Sequence, residues 1–265
     1  MKKFKIRCSS LGDFLSGTIG LTEPQKLTLK NYSEKRLIKP LTEREEGIYQ
    51  DLLYKEANPE LPKGVKTLLD KWIKDEILYE KKIQSHNKYT VKGILNEEEN
   101  IHYAAKHLDW GNVTKNEIEE SNEYMTGTPD VVLDDMIVDV KSSYEHGTFP
   151  ILEDECPSTD YINQVKGYLE LFKKQKGLVC YVLSTSPQHL IEREINTMAF
   201  NFGYDKDDFE FIMSMTDLYS YESYPSGLRI KTFEVERDDE LMKEIKYRVD
   251  LSRIYIEDKM KKFIY

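Results

Sequence analysis

The sequence predicts an α/β (α+β) protein with one central mixed β-sheet flanked by helices, a helical region ahead of the sheet and helices after it. Three observations carry that expectation. Apolar residues recur at helical spacing through the first third of the chain. Between residues 117 and 143 the pattern shortens to Val- and Ile-rich runs of strand length. Beyond them helices and strands alternate, an order that suits one layered domain.

Each element follows from local chemistry. Leu41–Ala57 opens on Thr42 with Glu45 three residues later, a capping-box pattern ahead of Ile48, Leu52 and Leu53. Pro62–Gln84 carries Val65, Leu68, Leu69, Trp72, Ile73, Ile77 and Leu78 at helical spacing. Val91–Leu108 is a third helix, with Ile94, Ile101, Ala105 and Leu108 expected on its buried face. Val131, Val132, Ile137, Val138 and Val140 mark two strands, joined by a turn at Leu133-Asp134-Asp135-Met136. Ser158–Lys174 returns to helix through Ile162, Val165, Leu169 and Phe172. Leu178–Leu183 is a strand, Pro187–Phe202 and Asp207–Tyr219 are helices, Leu228–Val235 is a strand and Asp238–Phe263 is a terminal helix. The expected division is one domain over 1–265, with a helical region at 1–90, a core at 91–185 and a helical scaffold at 186–265 that carries no readable motif.

Composition narrows the function. The 265 residues are 39% apolar and 32% charged, an ordinary globular balance. No run of eighteen apolar residues suggests a membrane span. Basic Met1–Arg7 is followed by no long apolar stretch, so a secretory signal is not expected. Three distant cysteines, Cys8, Cys156 and Cys180, fit neither a disulfide framework nor a metal cluster, and point to thiols in a reducing cytoplasm. A net charge of −10 argues against a protein that coats nucleic acid through bulk charge. It leaves room for a carboxylate metal site beside a local basic groove.

The chemistry concentrates in Gly127-Thr128-Pro129-Asp130 and Asp139-Val140-Lys141. On a hairpin, Asp130 starts one strand and Asp139 lies near the end of the next. Cross-strand neighbours stand roughly 5 Å apart, so the carboxylates can converge. Asp139 and Lys141, two apart on a strand, point to one face. Two carboxylates and an ammonium aimed at one spot suit phosphodiester hydrolysis assisted by Mg²⁺ or Mn²⁺, with the Val140 carbonyl as a further ligand. Alone, an Asp-X-Lys triplet is an ordinary solvated strand face; the Val/Ile-rich strand and the preceding Gly-Thr-Pro-Asp raise its significance. A third acid is expected from the helix 91–108, where Glu97 and Glu98 flank the apolar stripe and Glu99 points away. Gln164 and Tyr168 share a helix face and either brace the metal site or hold a DNA strand; half-buried packing is the plainer alternative.

Taken together, Lys92-Gly93-Ile94-Leu95-Asn96-Glu97, Gly127-Thr128-Pro129-Asp130, Asp139-Val140-Lys141 and Gln164-Val165-Lys166-Gly167-Tyr168 resemble the ordered motifs of the PD-(D/E)XK nuclease superfamily. The likeness is closest to lambda-type, YqaJ-like phage exonucleases and RecB-type nuclease domains. It implies a restriction-endonuclease-like core. It selects Glu97 over Glu98, because in that family the acid follows a glycine by four residues. It implies that Asp130, Asp139, Glu97 and the Val140 carbonyl bind the metal, that Lys141 positions water, and that Gln164 and Tyr168 steady the site. Ile6-Arg7-Cys8-Ser9-Ser10 is similar to the start of those exonucleases, which makes Arg7, Ser9 and Ser10 an expected 5′-phosphate pocket; the alternative is a strand running into a helix cap. Two departures stand out: Asp139 replaces the frequent glutamate, and no four-cysteine cluster is present.

The resulting expectation is a DNA exonuclease working from the 5′ end of linear duplexes, in a phage or prophage recombination setting. A single-strand annealing protein and a homo-oligomer are the partners the resemblance implies. Local positive charge is expected from Lys88, Lys92, Lys166, Lys173, Lys174 and Lys176. The rivals are an endonuclease of the same superfamily, a catalytically idle DNA-binding or assembly module, and an unrelated binding protein.

Overall fold

The computed structural model describes residues 2–81 and 87–263. In chain order it begins with strand β1 (Ile6–Arg7), a 3₁₀ turn (Cys8–Ser10) and helices α1 (Leu11–Leu15), α2 (Glu23–Ile38), α3 (Glu43–Ala57) and α4 (Lys63–Trp72), the last running into a π-helical turn (Ile73–Leu78). Helix α5 (Lys88–His107) precedes strands β2 (Glu120–Ser121), β3 (Met125–Gly127), β4 (Val131–Val132) and β5 (Met136–Ser143). Then come α6 (Thr159–Phe172), β6 (Lys176–Leu183), α7 (Gln188–Phe202), α8 (Phe209–Leu218), β7 (Ile230–Glu236) and α9 (Asp239–Met260). Among the described residues no helix is long and apolar enough to cross a membrane.

The chain forms two compact units. The first comprises Met1–Ile6, Gly12–Lys82 and Lys243–Tyr265. Here α3 has the expected capping box: the Thr42 hydroxyl accepts from the Glu45 amide, and the Glu45 carboxylate accepts from the Thr42 amide at 2.9 Å. Leu21, Leu29 and Leu52 bury together with Tyr49 and Leu53. The Arg248 guanidinium donates to the carbonyls of Phe14, Ser16 and Gly17, satisfying turn acceptors that burial would otherwise strand. The helix expected at Pro62–Gln84 is shorter and changes its winding at Ile73; its expected end, Lys82–Gln84, lies outside the described residues.

The second unit comprises Arg7–Leu11 and Ile83–Met242, and holds the mixed sheet. Its strand order is β4-β5-β6-β7. The β4–β5 and β6–β7 pairs are antiparallel, and β5–β6 is parallel. A smaller sheet has the order β1-β3-β2. The β4–β5 turn closes as expected, with the Leu133 amide donating to the Met136 carbonyl at 2.9 Å. Because side chains alternate along a strand, Val138 and Val140 face α5, packing with Ile101, Ala104, Cys180 and Val182. The opposite face takes α6, whose close approach depends on Gly177: a Cβ there would fall 2.6 Å from Val165 Cγ1. The parallel β5–β6 pair needs a crossover, and α6 supplies it.

Helix α5 corrects one expectation. Ile94 is not part of a buried stripe; it is 55% exposed, and Leu95 is exposed beside it. The first half of the buried face is polar, formed by Lys92, Asn96 and Asn100, and only Ile101, Ala104 and Ala105 continue it with apolar groups. The apolar residues of this helix follow two faces. The one at its start looks onto a cleft.

Candidate active site

The cleft, about 670 Å³ in volume, is lined by the carboxylates of Asp130, Asp139 and Glu97, the Lys141 ammonium, Gln164, Tyr168, Arg7 and Ser9. Strand pairing explains the convergence. Val131 pairs with Val138 and Val132 with Ile137, and one step further along the same register sets Asp130 opposite Asp139. The Val140 amide donates to Asp130 Oδ2 at 2.6 Å, tying the first carboxylate to the strand of the second. A strand residue's N–H and C=O point to the same side, so the Val140 carbonyl also faces the Asp130 edge.

Asp139 is 1% exposed. Its Oδ2 lies 2.6 Å from Lys141 Nζ as an ion pair, yet receives no hydrogen bond of good geometry from the described residues. Its Oδ1 accepts from Gln164 Nε2 at 3.2 Å. Gln164 Nε2 also donates to the Tyr168 hydroxyl at 2.8 Å, and Gln164 Oε1 accepts from Lys141 Nζ at 3.3 Å. One amide thus touches all three neighbours, the result of placing Gln164 and Tyr168 one turn apart on α6. The Lys141 ammonium also rests over the Tyr161 ring, 4.5 Å from its centroid.

The electrostatics are unbalanced. Burial, and then the Asp139 charge, push the Asp130 carboxyl up to about 8 despite the opposing Lys141. Asp130 is only half-buried, because the cleft reaches it, but the surrounding protein still removes most of its hydration. Asp139 is raised by burial against the pull of Lys141. Burial draws the Lys141 ammonium down, and the adjacent Asp139 and Asp130 outweigh it and raise it. Lys141 alone does not offset the burial of Asp130 and the repulsion Asp139 exerts on it, so Asp130 keeps its proton into the neutral range.

The cost of ionising both carboxylates and the free geometry at Asp139 Oδ2 fit a hard cation held by oxygen ligands. Among the described residues no three His, Cys, Asp or Glu side chains stand together as a ligand set. Glu97 pairs with Lys115, 2.5 Å from its Oε2, and contributes charge to the aspartates without joining them. Asp130, Asp139 and the Val140 carbonyl could serve as direct donors, and Mg²⁺ commonly completes such a set with water.

The other expected residues divide. Glu97 lines the cleft, whereas Glu98 is exposed outside it. Arg7 and Ser9 line it, and Ser10 does not. None of the six lysines expected to supply local charge is among the lining residues. Lys92 is buried, Lys88 pairs with Glu194 and Lys166 with Asp238. Lys174 reaches the Asp134 carbonyl at the far end of β5, where Lys176 pairs with Met136. Residues not singled out by sequence include Tyr161, Thr126 and Lys115. Tyr161 stands one helical turn before Gln164 on the same face, a spacing that would have flagged it.

Glycines set the site's tightness. A Cβ on Gly127 would lie 2.6 Å from Tyr168 Cε1, and one on Gly167 would lie 2.8 Å from Cys8 Sγ. Cys8 fills this junction as a fully buried thiol, its ionisation pushed up by burial and the Asp139 charge. Burial alone pushes the Cys180 thiol up to about 12.

No protein-family model and no curated protein matches the chain. Solved structures do. A phage related exonuclease from Haemophilus somnus 129PT is 23% identical, with a TM-score of 0.67 covering 99% of this chain and 98% of its own. An alkaline exonuclease (LHK-Exo) from Laribacter hongkongensis is 12% identical, with a TM-score of 0.52 covering 98% and 91%. The same enzyme in complex with dAMP gives 11% and 0.54 over the same shares. The chain shares its fold with these solved exonucleases.

Proposed function

We propose that this protein is a divalent-metal-dependent DNA exonuclease that hydrolyses phosphodiester bonds from the 5′ end of linear duplexes. The observation that carries the reading is the meeting of Asp130, Asp139 and Lys141 in one cleft, where a cation would relieve the cost of ionising both carboxylates. The fold shared with two exonucleases, one solved with dAMP, supports it.

In this reading Asp130, Asp139 and the Val140 carbonyl hold Mg²⁺ or Mn²⁺, with Glu97 adding charge from α5. When bound, such an ion polarises the phosphoryl group and lowers the pKa of its water. Lys141 directs the attacking water at phosphorus and stabilises the added charge as the P–O3′ bond breaks. Gln164 keeps both Asp139 and Lys141 in place, and Tyr168 anchors Gln164. The Arg7 guanidinium and the Ser9 hydroxyl, at the cleft wall, receive the terminal 5′-phosphate. A phage recombination setting, a single-strand annealing partner and a homo-oligomer belong to the same reading and rest on resemblance alone.

The test is loss of label from end-labelled linear duplex DNA. Cleavage is expected with Mg²⁺, none with EDTA, and none by Asp130→Ala. Nicking or cutting of closed circular DNA would replace the exonuclease by an endonuclease, and metal-independent cleavage would remove the mechanism.

A further inference from the structure

Helix α5 bears Lys92, Asn96 and Asn100 at intervals of four, so they form one stripe along its length. All three are at least nine-tenths buried. Lys92 Nζ donates to the Tyr144 carbonyl at 2.8 Å and the Ser184 carbonyl at 2.6 Å. These carbonyls lie one residue beyond the ends of β5 and β6, so one ammonium joins the ends of two parallel strands. Asn96 Nδ2 donates to Ser184 Oγ at 2.9 Å and to the Thr185 carbonyl at 2.7 Å. Asn100 Nδ2 donates to Ser142 Oγ, next to Lys141, at 2.5 Å.

Such a stripe is an expensive way to attach a helix. Burial pulls the Lys92 ammonium down to about 8, against the charges of Glu145 and Glu222, and Asn100 Oδ1 is buried with no hydrogen-bond partner among the described residues. Apolar residues would bury the same face without that penalty. Their contacts are non-directional, however, whereas a hydrogen bond holds its donor to one acceptor. Five hydrogen bonds from three residues define one axial position. Glu97 follows Asn96 directly, and a shift of one residue would move it about 1.5 Å along the axis.

Resting on the proposed function, we propose that Lys92, Asn96 and Asn100 are positioning residues that fix the register of α5 on the ends of β5 and β6, and thereby set the distance of the Glu97 carboxylate from the Asp130–Asp139 metal site.

A double-mutant cycle separates this role from simple structural support. Mn²⁺ binding is measured by calorimetry on the full chain for wild type, Asn100→Ala, Lys92→Met and Glu97→Gln, and for each stripe variant combined with Glu97→Gln. The stripe variants are expected to weaken Mn²⁺ binding about tenfold in the wild-type background. In the Glu97→Gln background the same changes are expected to have less than about a twofold effect, because the group they position is gone. Equal effects in both backgrounds, or none in either, would overturn the inference. If a stripe variant shows no cooperative melt, Ser184→Ala, which removes only the hydroxyl that accepts from Asn96, takes its place under the same criterion. Coupling without DNA cleavage by wild type would leave the positioning role standing and remove the nuclease reading. Cleavage with additive effects would do the reverse, and wild-type protein that binds no Mn²⁺ would overturn both.

Discussion

The two faces of β5 contrast in what they do with the same backbone. Toward α5, Val138 and Val140 join Ile101, Ala104, Cys180 and Val182 in an apolar layer. Toward α6, Asp139 and Lys141 meet Gln164, with Tyr168 behind it. The first face stabilises the fold by removing apolar surface from water. The second opposes folding, since burial holds both aspartates above the ordinary carboxylate range. The apolar layer holds β5 against its neighbours so that the unfavourable face stays assembled.

Substitutions on the two faces should therefore separate activity from stability. The largest effect is expected for Asp139→Ala, which should lower cleavage at least ~10³-fold, equivalent to about 4 kcal/mol in the barrier, with little loss in urea-melt stability. Ile101→Ala, on the apolar side, should lose ~2–5 kcal/mol of stability while the folded protein keeps its turnover number. Turnover falling tenfold with the fold intact would break the contrast. Gln164→Ala should be milder, reducing cleavage ~10–100-fold, because it loosens Asp139 and Lys141 without removing either. Single-turnover rates at saturating Mg²⁺ would check this; a rate equal to wild type would reduce Gln164 to packing.

The smallest effect concerns stability and pH. The Asp130 carboxyl ordinarily ionises near 3.8 and does so near 8 in the folded chain. Between those values the folded state retains a proton that the unfolded state has lost, so metal-free stability should fall as pH rises from about 4 to about 8. Asp130→Asn removes the Asp130 share of that dependence and leaves the part due to Asp139. The metal-free variant should melt higher than wild type at pH 8, by ~2–4 °C for each kcal/mol relieved. Calorimetric melts in EDTA at pH 5 and pH 8 would show it. A variant less stable than wild type at pH 8 would mean that the Asp130–Val140 hydrogen bond outweighs the buried charge.

Much of this site is legible in sequence because its geometry is local. The two-residue period places Asp139 and Lys141 on one face, and the four-residue turn between Val132 and Ile137 sets Asp130 opposite Asp139. Gln164 and Tyr168 meet because one helical turn separates them. The failures are of another kind. Ile94 has the spacing of a core residue and lies exposed, because the start of α5 crosses polar strand ends rather than the apolar layer. Lys174 and Lys176 follow Lys166 closely in sequence, yet the length of α6 carries them to the opposite end of β5.

By itself, then, the amino-acid order determined the strands and helices around the site, the pairing of Asp130 with Asp139 and the common face of Asp139 and Lys141, since each depends on backbone periods and a short turn. Only the tertiary structure decided that Gln164 would bridge Asp139 and Lys141, that Gly127, Gly167 and Cys8 would lock α6 against β3, and that Lys92 would join two strand ends. Those contacts link residues tens of positions apart, and their partners are chosen by how layers pack, which no local period encodes.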